Sequence, residues 1–260
     1  MTMPRLASCL LITFSTLQPQ VTALEIMQKV EAQSEPSDVI STTVITMTKI
    51  TKTKERSRSR EIKSFQKSFQ EGSFVSKSLI RFTKPADVKG TGFLSWDYRE
   101  AGKYDDQWLY LPELRKVKRV QVGQNTGRFM GTDFTYEDLA GRSIDEDGYV
   151  LLGRETVFGS DCYKLEAFPR EEKPSYSKRI IWVDAERWVV RKVEFYDLKG
   201  RLLKILTVPE MRKDGQYWTI VKMIMENTQK PHRTTLETVQ IEYDGGISED
   251  RFLVTSLKRL

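Results

Sequence analysis

The chain has 260 residues, of which 39% are hydrophobic and 30% are charged, and its formal net charge is +6. This composition is that of a globular protein and excludes an intrinsically disordered chain. The positive charge is small for this length, and no RNA- or DNA-binding motif accompanies it, so a nucleic-acid partner is not expected.

The N-terminus has the pattern of a signal peptide. Arg5 precedes an apolar stretch over residues 6–17, and the small residues that follow suit cleavage after Ala23. We therefore expect residues 1–23 to be removed on export to the periplasm. Residues 24–260 contain no Pro/Gly/Ser-rich linker and are expected to form a single domain.

The two cysteines predict neither lipidation nor a disulfide. Cys9 lies in the letters of a lipoprotein box, but the apolar stretch follows it instead of preceding it, so lipidation is not expected. Loss of Cys9 with the signal leaves Cys162 alone, which excludes an intrachain disulfide. Cys162 lies in a strand-like run and is expected to be a buried, inert thiol.

After a short amphipathic helix that begins at Leu24, nearly all of the chain has the pattern of β-strands. The helical pattern ends at residues 35–38, and β-branched and aromatic runs separated by turn residues follow. Thirteen strands are predicted, over residues 39–50, 60–69, 74–83, 91–98, 107–111, 116–122, 150–157, 162–168, 178–183, 188–197, 202–208, 217–227 and 234–243.

Residues 127–142 interrupt the strands. Thr132 or Thr135 is suited to cap a short helix, whose acidic first turn would favour the helix dipole. Phe134 and Leu139 would give that helix an apolar side. We therefore expect a second, central helix in this segment.

The short links between strands favour antiparallel hairpins, and no βαβ rhythm is present. A flat sheet of this many strands would curl or close. The predicted fold is mainly β, a strongly curved antiparallel sheet with an N-terminal helix and a short central helix.

Several strands have one almost wholly apolar face, as in the alternation that ends at Met225. Two interpretations remain open. The apolar faces form an ordinary filled core, or they leave a concave apolar surface for a flexible cargo. In the second case the expected lining residues are Tyr163, Leu165, Phe195, Tyr217, Val221, Met223 and Met225.

The sequence offers little for catalysis. His232 is the one histidine, it follows a proline and is expected to be solvated, and no metal site, cofactor motif or catalytic triad is predicted. The acidic pair Asp105 and Asp106 and the acidic turn at residues 145–148 are also expected to be solvated. A hydrolase acting through Asp105 and Asp106 is the remaining enzymatic alternative.

Basic residues alternate with other residues across the first hairpin, between Lys49 and Arg60. They are typical of a charged strand edge that prevents aggregation. The functional alternative is docking on anionic lipid headgroups or on an acidic partner.

Four blocks of sequence resemble the family of outer-membrane lipoprotein-sorting proteins. They follow in order along almost the whole chain after the signal peptide. The blocks are residues 81–94 (RFTKPADVKGTGFL), 105–112 (DDQWLYLP), 129–139 (FMGTDFTYEDL) and 176–184 (YSKRIIWVD).

This family is similar in fold to the periplasmic lipoprotein carrier LolA. The resemblance implies an incomplete barrel whose helices plug a cavity for acyl chains, and a monomeric, non-enzymatic carrier that moves a lipid or acylated cargo towards an outer-membrane acceptor. It implies a lid with Met130, Phe134 and Leu139 on its inner side, and a latch at Arg81 or Lys84, since LolA has a strand-end arginine there. Members also resemble companions of RND-type export permeases, so the alternative is a periplasmic accessory subunit that carries nothing.

Overall fold

A computed structural model describes residues 21–100, 103, 105–120, 127–139, 142–172 and 174–258. Residues 1–20 of the expected signal peptide, which include Cys9, lie outside the described residues. The described residues form one α-helix and a thirteen-stranded antiparallel sheet, which confirms the predicted fold class and strand number. The elements are α1 (Ala23–Glu31), β1 (Asp38–Ile50), β2 (Glu55–Ser68), β3 (Phe74–Lys84), β4 (Gly92–Tyr98), β5 (Asp106–Leu111), β6 (Lys116–Val120), β7 (Asp147–Val157), β8 (Ser160–Pro169), β9 (Lys178–Asp184), β10 (Val190–Tyr196), β11 (Leu202–Asp214), β12 (Tyr217–Asn227) and β13 (His232–Tyr243).

The sheet consists of two meanders joined at its centre. Strands β1 to β6 form one half and β7 to β13 form the other, and β1 pairs with β13 in the middle. The two edges are β6 and β7, so the sheet is open and is not closed into a barrel.

The helix α1 begins with a capping box. The Thr22 hydroxyl accepts from the Glu25 amide at 3.2 Å, and the Glu25 carboxylate accepts from the Thr22 amide at 2.7 Å. Such a cap stabilises a helix by about 1 kcal/mol. Ile26 is fully buried against the C-terminal half of the sheet, which fixes the helix there. Cleavage after Ala23, which stays a prediction, would remove this cap.

The sheet has an inner face and an outer face. On the inner face, α1 covers part of the C-terminal half, and residues 127–139 cover the N-terminal half. On the outer face of the N-terminal half lies the C-terminal segment, residues 246–258, with Phe252 and Leu257 buried against Leu79 and Leu94. We call residues 127–139 the lid.

The predicted central helix is instead a pair of 3₁₀ turns, Phe129–Gly131 and Glu137–Leu139, joined by a bridge between Arg128 and Thr135. Met130 has a φ of 47°, which interrupts a right-handed helix. The lid amides also donate to partners outside the helical pattern. Thr135 does cap the second turn, since its hydroxyl accepts from the Asp138 amide at 3.2 Å.

No helix among the described residues combines the length and the apolar character that crossing a bilayer requires.

Candidate functional site

An aromatic layer joins the lid to the N-terminal half of the inner face. Phe129 is 3% exposed, and its ring centroid lies 5.2 Å from that of Phe93 and 5.4 Å from that of Tyr136. Tyr136 lies 5.6 Å from Phe93 in turn. Aromatic pairs at these distances contribute about 0.5–1.5 kcal/mol each beyond their burial. The lid therefore closes this half with apolar contacts of its own.

The lid also reaches the C-terminal half of the inner face. Phe134 is buried in the cluster that contains Leu165, Phe195 and Met225, and Leu139 packs against the clusters of both halves. Met130 is partly buried against the N-terminal half. All three residues expected on the inner side of the lid thus contact the sheet.

A first polar clamp holds the lid to β2. The Arg60 guanidinium donates from Nη1 to the Met130 carbonyl oxygen at 2.5 Å and lies 5.7 Å from the Phe82 ring centroid. Burial and the neighbouring Arg58 lower the pKa of Arg60. The guanidinium nevertheless stays charged at any physiological pH.

A second clamp is centred on Asp133, whose side chain is fully buried. Its amide donates to the Thr234 hydroxyl at 2.9 Å, and that hydroxyl donates to Asp133 Oδ2 at 2.7 Å. His232 Nδ1 lies 2.6 Å from the same oxygen, and Arg128 pairs with Oδ1 at 2.7 Å. His232 was expected to be solvated, which is wrong. Its side chain projects from β13 to the inner face, where it contacts the lid and is 17% exposed.

A third clamp joins the lid to β11 through the ion pair of Asp138 and Lys204, whose side chains are 5% and 3% exposed. The Tyr176 hydroxyl donates to Asp138 Oδ1 at 2.8 Å. Burial lowers the pKa of Lys204, and Asp138 opposes that shift. Burial also raises the pKa of Tyr176, and Asp138 adds to it. Sequence reasoning missed Lys204, although it alternates with the inner-face residue Leu206.

Five of the seven expected lining residues lie together. Leu165, Phe195 and Met225 are buried in one cluster, and Tyr163 and Met223 pack against it. Val221 is partly buried on β12. Tyr217 lies at the start of β12, where its ring centroid is 4.8 Å from that of Tyr243 and its hydroxyl donates to Asp244.

The lid side chains themselves occupy the space over the inner face, because Phe129, Phe134 and Tyr136 are all at least nine-tenths buried. Two open depressions, of about 350 and 370 Å³, lie elsewhere, beside Arg115 and beside Leu151. In this conformation the lid therefore covers part of the inner face, where the hollow was expected.

The two expected latch residues lie away from the lid. Arg81 projects to the outer face and donates to the carbonyls of Ser256 and Leu257 in the C-terminal segment, at 3.0 and 3.3 Å. Lys84 pairs with Glu61 at 2.9 Å and is largely exposed. The strand arginine that contacts the lid is Arg60, which the sequence pattern alone did not single out.

The acidic groups are less solvated than expected. Burial, and then Asp97, raise the pKa of Asp105 to about 7. Asp106 instead accepts from the Tyr98 hydroxyl at 2.9 Å. In the acidic turn, Asp147 is buried between two arginines, with Arg142 at 2.8 Å.

Cys162 is fully buried, as expected, and burial raises the pKa of its thiol to about 11. The described residues contain no cluster of three or more metal-ligating side chains.

Comparison with known proteins identifies relatives of the whole fold. A family model described only as an uncharacterized protein matches residues 75–259. A domain from Vibrio parahaemolyticus, whose name assigns it to outer membrane lipoprotein sorting, is 34% identical, with 91% of this chain and 98% of that chain covered and a TM-score of 0.84. A DUF1329 family protein from Desulfovibrio piger ATCC 29098 is 30% identical, with 90% and 97% covered and a TM-score of 0.84.

A LolA superfamily protein from Nitrosomonas europaea shares the fold at 20% identity, with 91% of this chain and 100% of that chain covered and a TM-score of 0.67. No curated protein matches the sequence. The expected resemblance is confirmed: the chain has a LolA-like fold, is related to the domain from Vibrio parahaemolyticus, and belongs to the DUF1329 family.

Proposed function

We propose that this protein is a periplasmic carrier that binds the acyl chains of a lipid or acylated cargo on its inner face and moves the cargo towards the outer membrane. One observation carries the proposal. A wide apolar sheet face is covered by a short segment that three polar clamps hold in place. A cover of this kind can be released and replaced by another apolar surface.

The energies are of the right size for such an exchange. Burying one CH₂ group contributes about 0.8 kcal/mol, so an acyl chain of about 16 carbons supplies roughly 12 kcal/mol before ordering costs. The third clamp is a buried ion pair, whose Coulomb attraction is largely offset by the desolvation of both charges, and the first clamp is a hydrogen bond to a neutral carbonyl. Opening the lid returns these charges to water while the cargo covers the sheet.

In this proposal the cargo lies on Leu165, Phe195 and Met225, with Met223 and Tyr163 beside them, where Phe134 lies in the closed protein. Arg60 acts as the latch in place of Arg81 or Lys84. The protein works as an exported monomer without a cofactor. An inner-membrane RND-type permease and an outer-membrane acceptor are its proposed partners.

A second candidate function is a periplasmic accessory subunit of such a permease that carries nothing. The closed lid favours it, because Phe129, Phe134 and Tyr136 are buried against the inner face. The two functions differ in whether lipid ever replaces the lid.

The test is lipid recovery. The full chain is exported in a Gram-negative host, purified from the periplasm, and analysed by native mass spectrometry and solvent extraction. Bound lipid is expected, and Met223→Glu, which puts a charge on the inner face, should strongly reduce it. Ile220→Glu is the matched control, because Ile220 is 38% exposed and projects from the opposite face of the same strand.

Lipid in the control variant but not in Met223→Glu would support a carrier. A wild-type protein that is free of lipid, and that takes up none when incubated with vesicles, would contradict it and favour the accessory subunit.

A further inference from the structure

The inner face of β2 carries a ladder of arginines beside the lid. Arg56, Arg58 and Arg60 lie opposite Lys49, Met47 and Ile45 of β1. Directly opposed residues of an antiparallel pair share a face. Met47 and Ile45 are buried in the inner-face cluster, so the three guanidinium groups project to that same face.

The ladder is not neutralised by the chain. No ion pair of 4.0 Å or less involves Arg56, Arg58 or Arg60 anywhere in the described ranges. Arg58 lowers the pKa of Arg60 through repulsion, and the opposing effect of Asp87 is smaller. Of the other charges at this end, Glu55 is paired with Arg233.

Protection of a strand edge does not explain this arrangement. Residues 55–60 extend beyond the part of β2 that pairs with β3, so the stretch is locally an edge. Charged side chains that prevent edge-to-edge pairing can lie on either face of an edge strand. Yet the outer-face positions between the arginines are Ser57 and Ser59, which hydrogen-bond to Thr48 and Thr46 at 2.9 and 3.1 Å.

The inner face is also electrically asymmetric. At the opposite end of the same half, Asp97 pairs in register with Ser76, and Asp105 lies beside it. Along β2 the arginines and that acidic end are separated by roughly 25 Å of sheet, at about 3.3 Å per residue. Apolar side chains such as Phe82 and Phe93 lie between them.

We propose that Arg56, Arg58 and Arg60 form the headgroup site for an anionic amphiphile, whose phosphate or carboxylate binds the ladder while its acyl chains lie on the adjoining apolar face. This inference rests on the proposed carrier function and narrows its cargo to anionic lipids or anionic acylated molecules. Ile45 and Met47 lie directly opposite Arg60 and Arg58, so apolar surface for an acyl chain adjoins the positive charges that would bind the headgroup.

The ladder also connects headgroup binding to the lid. In the closed protein Arg60 donates to a neutral acceptor, the Met130 carbonyl. A phosphate or carboxylate adds the attraction of a full negative charge and can accept two parallel guanidinium hydrogen bonds. An anionic headgroup therefore draws Arg60 away from the lid and releases the first clamp as the cargo arrives.

The test compares lysophosphatidylglycerol with lysophosphatidylcholine of equal chain length, each below its micelle concentration, by calorimetric titration of the full chain. The wild type should bind the anionic lysolipid about tenfold or more tightly than the zwitterionic one, since each basic residue near an anionic headgroup favours it substantially. The double variant Arg56→Gln/Arg58→Gln should lose that preference and keep its affinity for lysophosphatidylcholine.

The matched control is Arg115→Gln/Lys116→Gln, which removes the same charge from two exposed residues at the beginning of β6. The control should keep the preference. Equal loss in both variants would show a general charge effect and overturn the proposal. Inorganic phosphate that binds the wild type as tightly as lysophosphatidylglycerol would also overturn it, because the acyl chain would then contribute nothing.

The headgroup site and the carrier function are contradicted by different results. If the wild type binds both lysolipids equally, the headgroup site is wrong and the carrier function stands. If it binds neither lysolipid, the carrier function fails and the headgroup site fails with it.

Discussion

Two segments cover the N-terminal half of the sheet, and they are held in different ways. The lid lies on the inner face and the C-terminal segment lies on the outer face. Each accepts hydrogen bonds from a strand arginine, since Arg60 donates to the Met130 carbonyl and Arg81 donates to the carbonyls of Ser256 and Leu257. Because both segments have this hydrogen bond to an arginine, they differ in their other contacts with the sheet.

The C-terminal segment is held by apolar side chains and by bonds to its backbone. Phe252 and Leu257 are essentially fully buried, Trp96 Nε1 donates to the Phe252 carbonyl at 2.8 Å, and Lys67 donates to the Ile247 carbonyl at 3.0 Å. Opening this segment would expose apolar surface with nothing to replace it. We therefore expect this segment to remain closed under conditions in which the lid opens.

The lid combines aromatic side chains with two buried carboxylates, Asp133 and Asp138, whose partners His232 and Lys204 come from the sheet. The attraction within a buried pair is largely offset by the desolvation of both charges, and opening solvates them again. The lid and the C-terminal segment are both buried by apolar side chains. They differ in their polar contacts, because the buried charges of the lid are solvated again when it opens.

The largest expected difference is in global stability. Phe252→Ala should lower the free energy of unfolding by about 3–5 kcal/mol, as for a buried phenylalanine in a rigid core. Phe134→Ala should cost less, about 2 kcal/mol or below, because a lid contact contributes no more than the free energy of opening the lid. Urea denaturation measures both. Equal losses would place the lid within the rigid core and remove the difference between the covers.

The third clamp gives the next largest effect. Asp138→Asn leaves Lys204 buried without a counter-ion, which costs about 3 kcal/mol unless the lid opens. We expect the lid to open, so amide exchange at residues 127–139 should accelerate strongly while residues 246–258 keep wild-type exchange. The double variant Asp138→Asn/Lys204→Met removes the buried charge and should restore slow exchange. Slow lid exchange in the single variant would mean that Lys204 does not depend on this pair.

The two arginines provide a matched pair of variants. Arg60→Ala and Arg81→Ala each remove bonds to carbonyls, worth about 1–3 kcal/mol. Arg60→Ala should accelerate amide exchange in the lid and the uptake of lipid from vesicles. Arg81→Ala should accelerate exchange in the C-terminal segment and leave lipid uptake unchanged. Faster uptake in both variants would show that the covers act as one unit.

The smallest effect concerns the acidic end of the inner face. Burial raises the pKa of Asp105 from its ordinary value of 3.8 to about 7, so the folded chain binds more protons than the unfolded chain between those values. This contribution to stability is complete below pH 3.8 and is lost as the pH rises through about 7. Asp105→Asn should therefore be more stable relative to the wild type at pH 8 than at pH 5.

Urea denaturation at the two pH values measures this change, with Glu113→Gln, an exposed carboxyl on the loop after β5, as the control. A control variant with the same pH dependence as Asp105→Asn would remove Asp105 as the cause.

The sheet could be predicted from the sequence because alternation is a local signal. All thirteen strands were found, and the apolar alternation of β12 correctly placed Met223 and Met225 on one face. The lid could not be predicted as it is, because its amides bond to distant groups such as Thr234 instead of forming a helix.

The clamps depend on pairs that are far apart in sequence. Arg60 and Met130 are separated by 70 positions, and Asp138 and Lys204 by 66. A lysine on a mixed strand and a basic run on a hairpin are typical of solvated surface, so neither pattern indicates a buried contact. Only the register of β1, β2, β13, β12 and β11 brings these side chains under the lid.

The central claim is that cargo replaces the lid on the inner face. Amide exchange of the Asp133 N–H, which the Thr234 hydroxyl protects at 2.9 Å, tests it directly when the protein is compared with and without bound lysophosphatidylglycerol. Lipid should accelerate exchange at Asp133 and leave the C-terminal segment unchanged. Lipid that binds while Asp133 stays protected would contradict the claim, because the cargo would then lie somewhere other than beneath the lid.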